Sequence, residues 1–141
     1  FLNSSRGEVV DEGALKEALR SGRIGRAVLD VWGGEPRIDQ ELLSLSTIAT
    51  PHIAGYSLQG KAKGTALAVR AVAAELGLPI RADWYPAEAP VQHPCTTISW
   101  REITARMPAY YDILADDAAL RAAPERFEEL RGDYRFREEF F

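Results

Sequence analysis

A histidine, His52, stands between a proline and a turn of small residues in the stretch 50–55. The apolar pair Ile48-Ala49 precedes this stretch and a long helical pattern follows it. That arrangement is typical of a side chain at the end of a strand, where α/β enzymes place reactive groups. Because imidazole changes charge near neutral pH, His52 could act as a general acid or base. A structural histidine after a proline would give the same local sequence.

Two other charged residues could work with this histidine. Glu35 follows a Gly-Gly pair on a loop; beside His52 it would orient the ring and favour the imidazolium, and elsewhere it would be a solvated carboxylate. Arg6 precedes a glycine and is either a surface charge or a clamp that grips a carboxylate through two parallel hydrogen bonds. The other histidine, His93, lies in a proline-rich stretch and is expected to be structural.

Asp30 interrupts the apolar run 27–31. A carboxylate in a buried strand is costly unless it has hydrogen-bonding partners. A polar contact with a cofactor at the end of the strand would supply them.

The elements that would position these residues alternate along the first third of the chain. A strand ends at Leu2, which we expect to be buried, and Asp11 is placed to cap a helix that runs to about Ser21. A buried strand follows at 27–31, then a short helix from Asp39 and another strand at 47–50. This alternation predicts an α/β fold with a doubly wound, Rossmann-type parallel sheet.

The pattern changes after residue 56 and predicts a long helix over 57–76. Its apolar positions recur at steps of three and four and should form the buried face: Leu58, Ala62, Thr65, Val69, Val72 and Leu76. Gly60 and Gly64 lie one turn apart and suggest that another backbone passes close by. Four prolines between 79 and 94 mark a linker, and Ser99 opens a further helix, which we expect to bury Met107, Tyr110 and Leu114.

Composition narrows the possible partners. The chain has 141 residues, 46% hydrophobic and 27% charged, as a globular protein does. It has no apolar run of about 18 residues, which argues against a membrane span. The net charge of −4 comes without a basic stripe, so we expect no nucleic-acid partner. The single cysteine, Cys95, fits the reducing cytoplasm. No metal-binding motif appears, and no Gly-x-Gly-x-x-Gly loop is present, so any such loop would lie upstream of residue 1.

Three ordered motifs give the sequence a specific resemblance. They are Asn3-Ser4-Ser5-Arg6-Gly7, Leu29-Asp30-Val31-Trp32 with Glu35-Pro36, and Thr50-Pro51-His52-Ile53-Ala54-Gly55. Together they resemble the D-2-hydroxyacid dehydrogenases over residues 1 to about 56. The continuation 55–65, together with Tyr110-Tyr111-Asp112-Ile113 and 127–131, is similar to one family among them, the erythronate-4-phosphate dehydrogenases. A C-terminal dimerisation domain distinguishes that family.

The resemblance implies an activity and a role for each site residue. The enzyme would oxidise 4-phospho-D-erythronate, a phosphorylated 2-hydroxy acid, with NAD in pyridoxal 5'-phosphate synthesis. Arg6 would grip the substrate and contact the cofactor, His52 would take the hydroxyl proton, and Glu35 would hold His52. Tyr56 would touch the substrate. The remaining cofactor contacts would be Ser4, Ser5, Asp30 and Gly55.

The resemblance also implies a domain organisation. Residues 1–55 would be the C-terminal part of the NAD-binding domain, 56–78 a long helix returning to the substrate domain, and 79–141 a linker and a shortened α+β dimerisation domain of a cytoplasmic homodimer. The chain lacks an initial Met, so we expect a piece of a longer enzyme that is inactive alone. Two alternatives stay open: a 3-phosphoglycerate or glyoxylate type dehydrogenase, and a non-catalytic dimerisation module.

Overall fold

The computed structural model of the chain describes residues 1–90 and 97–139, so His93, Cys95 and the end of the proline-rich stretch lie outside the described residues. The chain divides into two compact units. The first contains Phe1–Ala54 and Asp112–Tyr134, and the second contains Gly55–Tyr111 and the residues from Arg135 onward.

Short strands alternate with helices at the start of the chain, and helices follow. The strands are β1 (Leu2–Asn3), β2 (Val28–Leu29) and β3 (Ile48–Ala49); the α-helices are α1 (Glu12–Arg20), α2 (Gln40–Leu45), α3 (Leu58–Leu76), α4 (Trp100–Tyr110), α5 (Ile113–Ala122) and α6 (Phe127–Gly132). Two 3-10 turns, Gly7–Val9 and Pro124–Arg126, complete the described elements.

The sheet of the first unit is parallel and has the order β1-β2-β3. Leu2 pairs with Val28, and Val28 pairs with Ile48. The carboxyl ends of all three strands therefore meet at one edge. This mixed α/β arrangement confirms the fold class predicted from the sequence. The prediction that Leu2 is buried is wrong: it is 68% exposed, and its neighbour Asn3 is buried instead, because successive side chains in a strand point to opposite faces.

The caps predicted from the sequence begin the helices of this unit as expected. Asp11 accepts a hydrogen bond from the backbone N–H of Ala14, and Asp39 accepts from those of Glu41 and Leu42. After α1 the chain reverses at Gly22, which has a φ of +71°. Both helices can then pack their apolar sides against the sheet.

Helices α5 and α6 pack in the same unit as the sheet. Leu120 and Phe127 are fully buried and belong to one hydrophobic core with Leu29, Trp32 and Leu42. Asp117 on α5 accepts a hydrogen bond from the backbone N–H of Ala49 at 2.7 Å. This contact satisfies a donor at the edge of β3 that would otherwise lack a strand partner.

In the second unit α3 runs over 19 residues from its cap at Ser57 to a left-handed Gly77. The predicted buried face is wrong in part. The buried residues are Gln59, Ala62, Ala66 and Ala73, whereas Val72 and Leu76 are 53% and 66% exposed. Three of these four buried residues are alanines, and the spacing of the larger apolar residues did not identify this face.

The close backbone contact expected at the α3 glycines is not seen within the described residues. A Cβ at Gly64 would meet nothing within 4 Å, and one at Gly60 would meet the capping side chain of Ser57.

Ser99 and Glu102 form the predicted capping box of α4. The expectation that this helix buries Met107 and Tyr110 is wrong, because they are 44% and 60% exposed.

Leu114, expected to be buried in the same helix, is 61% exposed and lies on a separate helix, α5. The chain leaves α4 at Tyr111 and Asp112 caps the new helix. None of the described helices is long and apolar enough to cross a membrane.

Candidate active site

The predicted site residues of the first unit lie on the segments that leave the carboxyl ends of the three strands. Ser4, Ser5 and Arg6 follow β1, Asp30 follows β2, and His52 follows β3 by three residues. In an open parallel sheet this edge is the usual place for a bound ligand.

His52 and Glu35 form a hydrogen-bonded pair. The Nδ1 atom of His52 lies 2.8 Å from Oε2 of Glu35, and the two side chains are 21% and 17% exposed. The other carboxylate oxygen of Glu35 accepts a hydrogen bond from the backbone N–H of Trp32 at 2.9 Å. A carboxylate only accepts, so Nδ1 carries a proton, and in the neutral imidazole Nε2 then presents its lone pair.

The backbone of His52 is held in an uncommon conformation. Its φ is +57°, the left-handed region, where a residue with a Cβ is strained by roughly 1–3 kcal/mol. Its N–H donates a hydrogen bond of 2.7 Å to the carbonyl oxygen of Asp30. Such strain persists only where the surrounding structure fixes the residue, as this bond and the Glu35 pair do.

The chain itself satisfies the buried carboxylate of Asp30. One oxygen accepts hydrogen bonds from the Thr50 hydroxyl at 2.7 Å and the Ile53 N–H at 2.8 Å, and the other accepts from the Ala54 N–H at 3.0 Å. The cost of burial that suggested a cofactor contact is therefore met within the protein. Asp30 ties the end of β2 to the loop that carries His52. Its contact with a cofactor stays a prediction.

The loop after β1 is organised by the buried Asn3. Its amide donates to the carbonyl of Arg6 at 3.0 Å, and its amide oxygen accepts from the N–H and hydroxyl of Ser5 at 3.2 and 3.0 Å. The Arg6 guanidinium is exposed and donates to the Ser5 carbonyl at 2.6 Å. Among the described residues no hydrogen bond joins Arg6 to Glu35 or His52.

Two residues that the sequence did not single out fix these loops. Gly7 is buried, and a Cβ there would overlap the backbone carbonyl of Trp32. Trp32 is 1% exposed, and its indole N–H donates to the carbonyl of Thr50 at 3.0 Å. In the sequence Trp32 closes the motif Leu29-Asp30-Val31-Trp32, and that position does not reveal the partner of its indole.

Gly55 and Tyr56 belong to the second unit. A Cβ at Gly55 would meet nothing within 4 Å. The ring of Tyr56 packs edge-on against Phe136, with their centroids 5.2 Å apart. Their predicted contacts with cofactor and substrate remain predictions.

The donor set of the first unit suits the oxidation of an alcohol. His52 offers a half-buried imidazole that in its neutral form can accept a proton at Nε2, and no described residue is hydrogen-bonded to that nitrogen. The exposed guanidinium of Arg6 can receive an anion. Ser4 and Ser5 add exposed hydroxyl groups at the same sheet edge, where an NAD nicotinamide would find polar partners. Within the described residues no group of side chains could hold a metal ion.

Comparisons with known proteins agree with this geometry. Residues 1–54 match the family described as D-isomer specific 2-hydroxyacid dehydrogenase, NAD binding domain. The chain is 44% identical over 139 residues to the erythronate-4-phosphate dehydrogenase of Bacteroides fragilis, covering 99% of this chain and 39% of that protein. It is 40% identical to that of Porphyromonas gingivalis, covering 95% and 37%, and 40% identical to that of Marinobacter nauticus, covering 99% and 40%.

The chain therefore spans about two fifths of the length of these curated relatives. The resemblance predicted from the three motifs is confirmed. Along nearly its whole length the chain is similar to erythronate-4-phosphate dehydrogenases, and residues 1–54 match the NAD-binding domain of the D-isomer specific 2-hydroxyacid dehydrogenases.

Proposed function

We propose that the full-length protein is an NAD-dependent dehydrogenase that oxidises 4-phospho-D-erythronate to 2-oxo-3-hydroxy-4-phosphobutanoate in pyridoxal 5'-phosphate synthesis. The observation that carries the proposal is the 2.8 Å bond between His52 and Glu35. It stands at the ligand edge of a parallel sheet whose sequence matches an NAD-binding domain.

The chemistry assigns a role to each of three residues. Arg6 binds the carboxylate and the hydroxyl oxygen of the substrate, which fixes C2. The lone pair of Nε2 on His52 takes the hydroxyl proton while the C2–H bond breaks and the C2–O bond becomes a carbonyl. Glu35 stabilises the imidazolium that results, as a carboxylate bonded to Nδ1 does in other proton-transfer sites.

Bound NAD supplies the acceptor for the hydride that leaves C2. Arg6, Asp30 and the hydroxyls of Ser4 and Ser5 would line the nicotinamide side with polar groups. Gly55 would allow the backbone to approach the cofactor, and Tyr56 would contact the substrate. Asp30 can accept a further hydrogen bond, because its carboxylate has about four acceptor positions and uses three.

We further propose the domain division given by the resemblance, with residues 1–55 in the NAD-binding domain, 56–78 as the connecting helix and 79–141 as linker and dimerisation domain. In this proposal the protein is a cytoplasmic homodimer. Helix α4 supports the dimer because Trp100, Met107 and Tyr110 are exposed by 76%, 44% and 60%. Sedimentation of the full-length protein tests the homodimer, and a monomer at micromolar concentration would contradict the homodimer.

The activity is tested by following NADH absorbance with the full-length protein. The substrates are 4-phosphoerythronate, 3-phosphoglycerate and glycerate, each with wild type and His52→Ala. We expect turnover of 4-phosphoerythronate alone, lost in His52→Ala.

The outcomes separate the alternatives. Preference for 3-phosphoglycerate or glycerate would retain the mechanism and place the protein with the 3-phosphoglycerate or glyoxylate type. No reduction of NAD with any of the three substrates would contradict an enzyme function and favour a non-catalytic dimerisation module.

A further inference from the structure

A short C-terminal segment, 136–139, lies along the start of α3 within the second unit. The N–H of Leu58 donates to the carbonyl of Arg137 at 2.9 Å, and the N–H of Arg137 donates to the carbonyl of Tyr56 at 3.4 Å. Two residues later the N–H of Glu139 donates to the side-chain oxygen of Gln59 at 2.9 Å. These three hydrogen bonds, two between backbone groups and one to a side chain, make the segment, called the strap below, a partner of residues 56–59.

The strap also shares the helix cap. The Ser57 hydroxyl accepts the N–H of Gly60 at 2.9 Å, which caps α3, and donates to a carboxylate oxygen of Glu139 at 2.8 Å. Ser57 and Gln59 are 9% and 1% exposed. Because both are shielded from water, these bonds fix the first turn of α3 more firmly than exposed ones would.

One side chain from the strap and one from α3 contact the ring of Tyr56. Phe136 meets it in an edge-to-face arrangement, with an interplanar angle of 76° and centroids 5.2 Å apart. The ammonium group of Lys61 lies 4.3 Å from the Tyr56 ring centroid and 5.6 Å from that of Phe136. An aromatic edge and a cation over a ring face are both attractive geometries.

We propose that Phe136 and Lys61 are positioning residues that hold Tyr56 in the orientation in which it contacts the substrate; this rests on the proposed function. The hydroxyl oxygen of a tyrosine lies on the Cβ–Cγ axis, so its position is set by χ1 and the backbone, whereas χ2 sets the plane of the ring. Contacts on the face and at the side of the ring restrict both torsions. The strap thereby makes a segment near the end of the chain part of substrate binding without touching the substrate itself.

The test measures kcat and KM for 4-phosphoerythronate with the full-length protein at saturating NAD. We expect Phe136→Ala to raise KM by about 2- to 10-fold, the equivalent of one lost aromatic pair, with kcat changed less than twofold. Phe136→Trp keeps an aromatic edge and should restore most of the affinity. Glu138→Gln changes an exposed strap residue beside it and serves as the matched control.

Lys61 gives a second, independent pair of variants. Lys61→Arg keeps a cation over the ring and should retain the wild-type KM, whereas Lys61→Gln should raise it. In a Tyr56→Ala background neither Phe136→Ala nor Lys61→Gln should raise KM further, because the residue they position is gone. Unchanged KM in both single variants, or equal increases in the Tyr56→Ala background, would overturn the proposal.

The positioning of Tyr56 can be tested even if the proposed dehydrogenase activity is not found. If the wild-type protein turns over none of the three substrates, the proposed function fails first. A double-mutant cycle of Tyr56→Ala and Phe136→Ala, followed by urea unfolding, then still decides whether the two rings are coupled. Additive effects on unfolding would show that Phe136 does not hold Tyr56.

Discussion

The Nδ1 atom of His52 lies 2.8 Å from Oε2 of Glu35, while Oε1 of the same carboxylate accepts the N–H of Trp32 at 2.9 Å. The two contacts fix the rotation of the carboxylate. Because the backbone N–H of Trp32 binds Oε1, the carboxylate is held with Oε2 facing the imidazole. The geometry therefore selects one tautomer of His52, with the proton on Nδ1.

This relationship predicts the effect of Glu35→Gln. The amide oxygen would stay on the Trp32 N–H, so the amide NH₂ would face Nδ1 and make it an acceptor. The proton would then sit on Nε2, and the imidazole could no longer take a proton from the substrate. We expect kcat in the full-length protein to fall by about 10²- to 10⁴-fold, the usual contribution of a general base.

The measurement is steady-state NADH formation, and Glu8→Gln is the control because Glu8 is an exposed carboxylate of the same compact unit. Circular dichroism shows whether the fold is retained. A Glu35→Gln enzyme with wild-type kcat would disprove the assignment of the tautomer.

Gly7→Ala tests the close approach of two backbones. An added methyl group would overlap the carbonyl of Trp32, so the loop carrying Arg6 must shift. We expect a loss of about 1–3 kcal/mol in the free energy of unfolding, as for other overpacked sites, together with a raised KM. Urea unfolding and kinetics of the full-length protein measure the two effects.

Gly25→Ala is the matched control, because a Cβ at Gly25 would meet no atom within 4 Å. Its unfolding free energy should stay within about 0.5 kcal/mol of wild type. Equal effects of the two substitutions would contradict the packing argument.

Arg121→Ala tests the attachment of α5 to the end of α2 and, through Asp117, to β3. The guanidinium donates to the Asp117 carboxylate at 2.9 Å and to the carbonyls of Leu43 and Ser46 at 2.7 and 2.9 Å. Asp117 in turn holds the N–H of Ala49. Removing the arginine takes one donor from each of these acceptors, and we expect a loss of about 1–3 kcal/mol in unfolding free energy.

Arg126→Ala is the comparison, because Arg126 forms an ion pair with Glu129 in which both side chains are about half exposed. Solvent screens such a pair, and we expect no measurable change in stability. Thermal unfolding of both variants compares the two losses of stability. A larger loss in Arg126→Ala than in Arg121→Ala would contradict the expectation that the Arg121 contacts contribute more.

Asp39→Asn tests a titrating helix cap. The hydrogen bond with Lys16, followed by the one from the Leu42 N–H, lowers the pKa of Asp39 below its ordinary value of 3.8. A lowered pKa in the folded state adds stability above the unfolded pKa, and this stability is lost as the pH falls through the folded pKa. Asparagine still caps a helix. The variant should therefore lose only the pH-dependent stability that the charge of Asp39 contributes.

We expect wild type to be more stable than Asp39→Asn at pH 6 and the difference to disappear as the pH falls through the lowered pKa of Asp39. Urea unfolding at several pH values measures the difference. A difference that is the same at every pH would show that the charge of Asp39 does not contribute.

Asp30 and His52 show which features of the site can be predicted from the sequence. Both residues stood out from their neighbours, one as a charge in an apolar strand and one as an imidazole after a proline. Pattern alone placed them at strand ends but left open whether Asp30 needed a cofactor. The structure supplies its three donors from Thr50, Ile53 and Ala54, because the loop after β3 folds back onto the end of β2.

Local features were determined by the sequence, because capping and alternation depend on neighbouring residues. Asp11, Asp39, Ser57 and Ser99 begin helices as predicted, and the strands alternate with helices as expected. Only the tertiary structure decided which face of α3 is buried, that Glu35 meets His52 across 17 residues, and that Phe136 reaches Tyr56. These pairings depend on how distant segments pack, and hydrophobic spacing along one element carries no information about its partner.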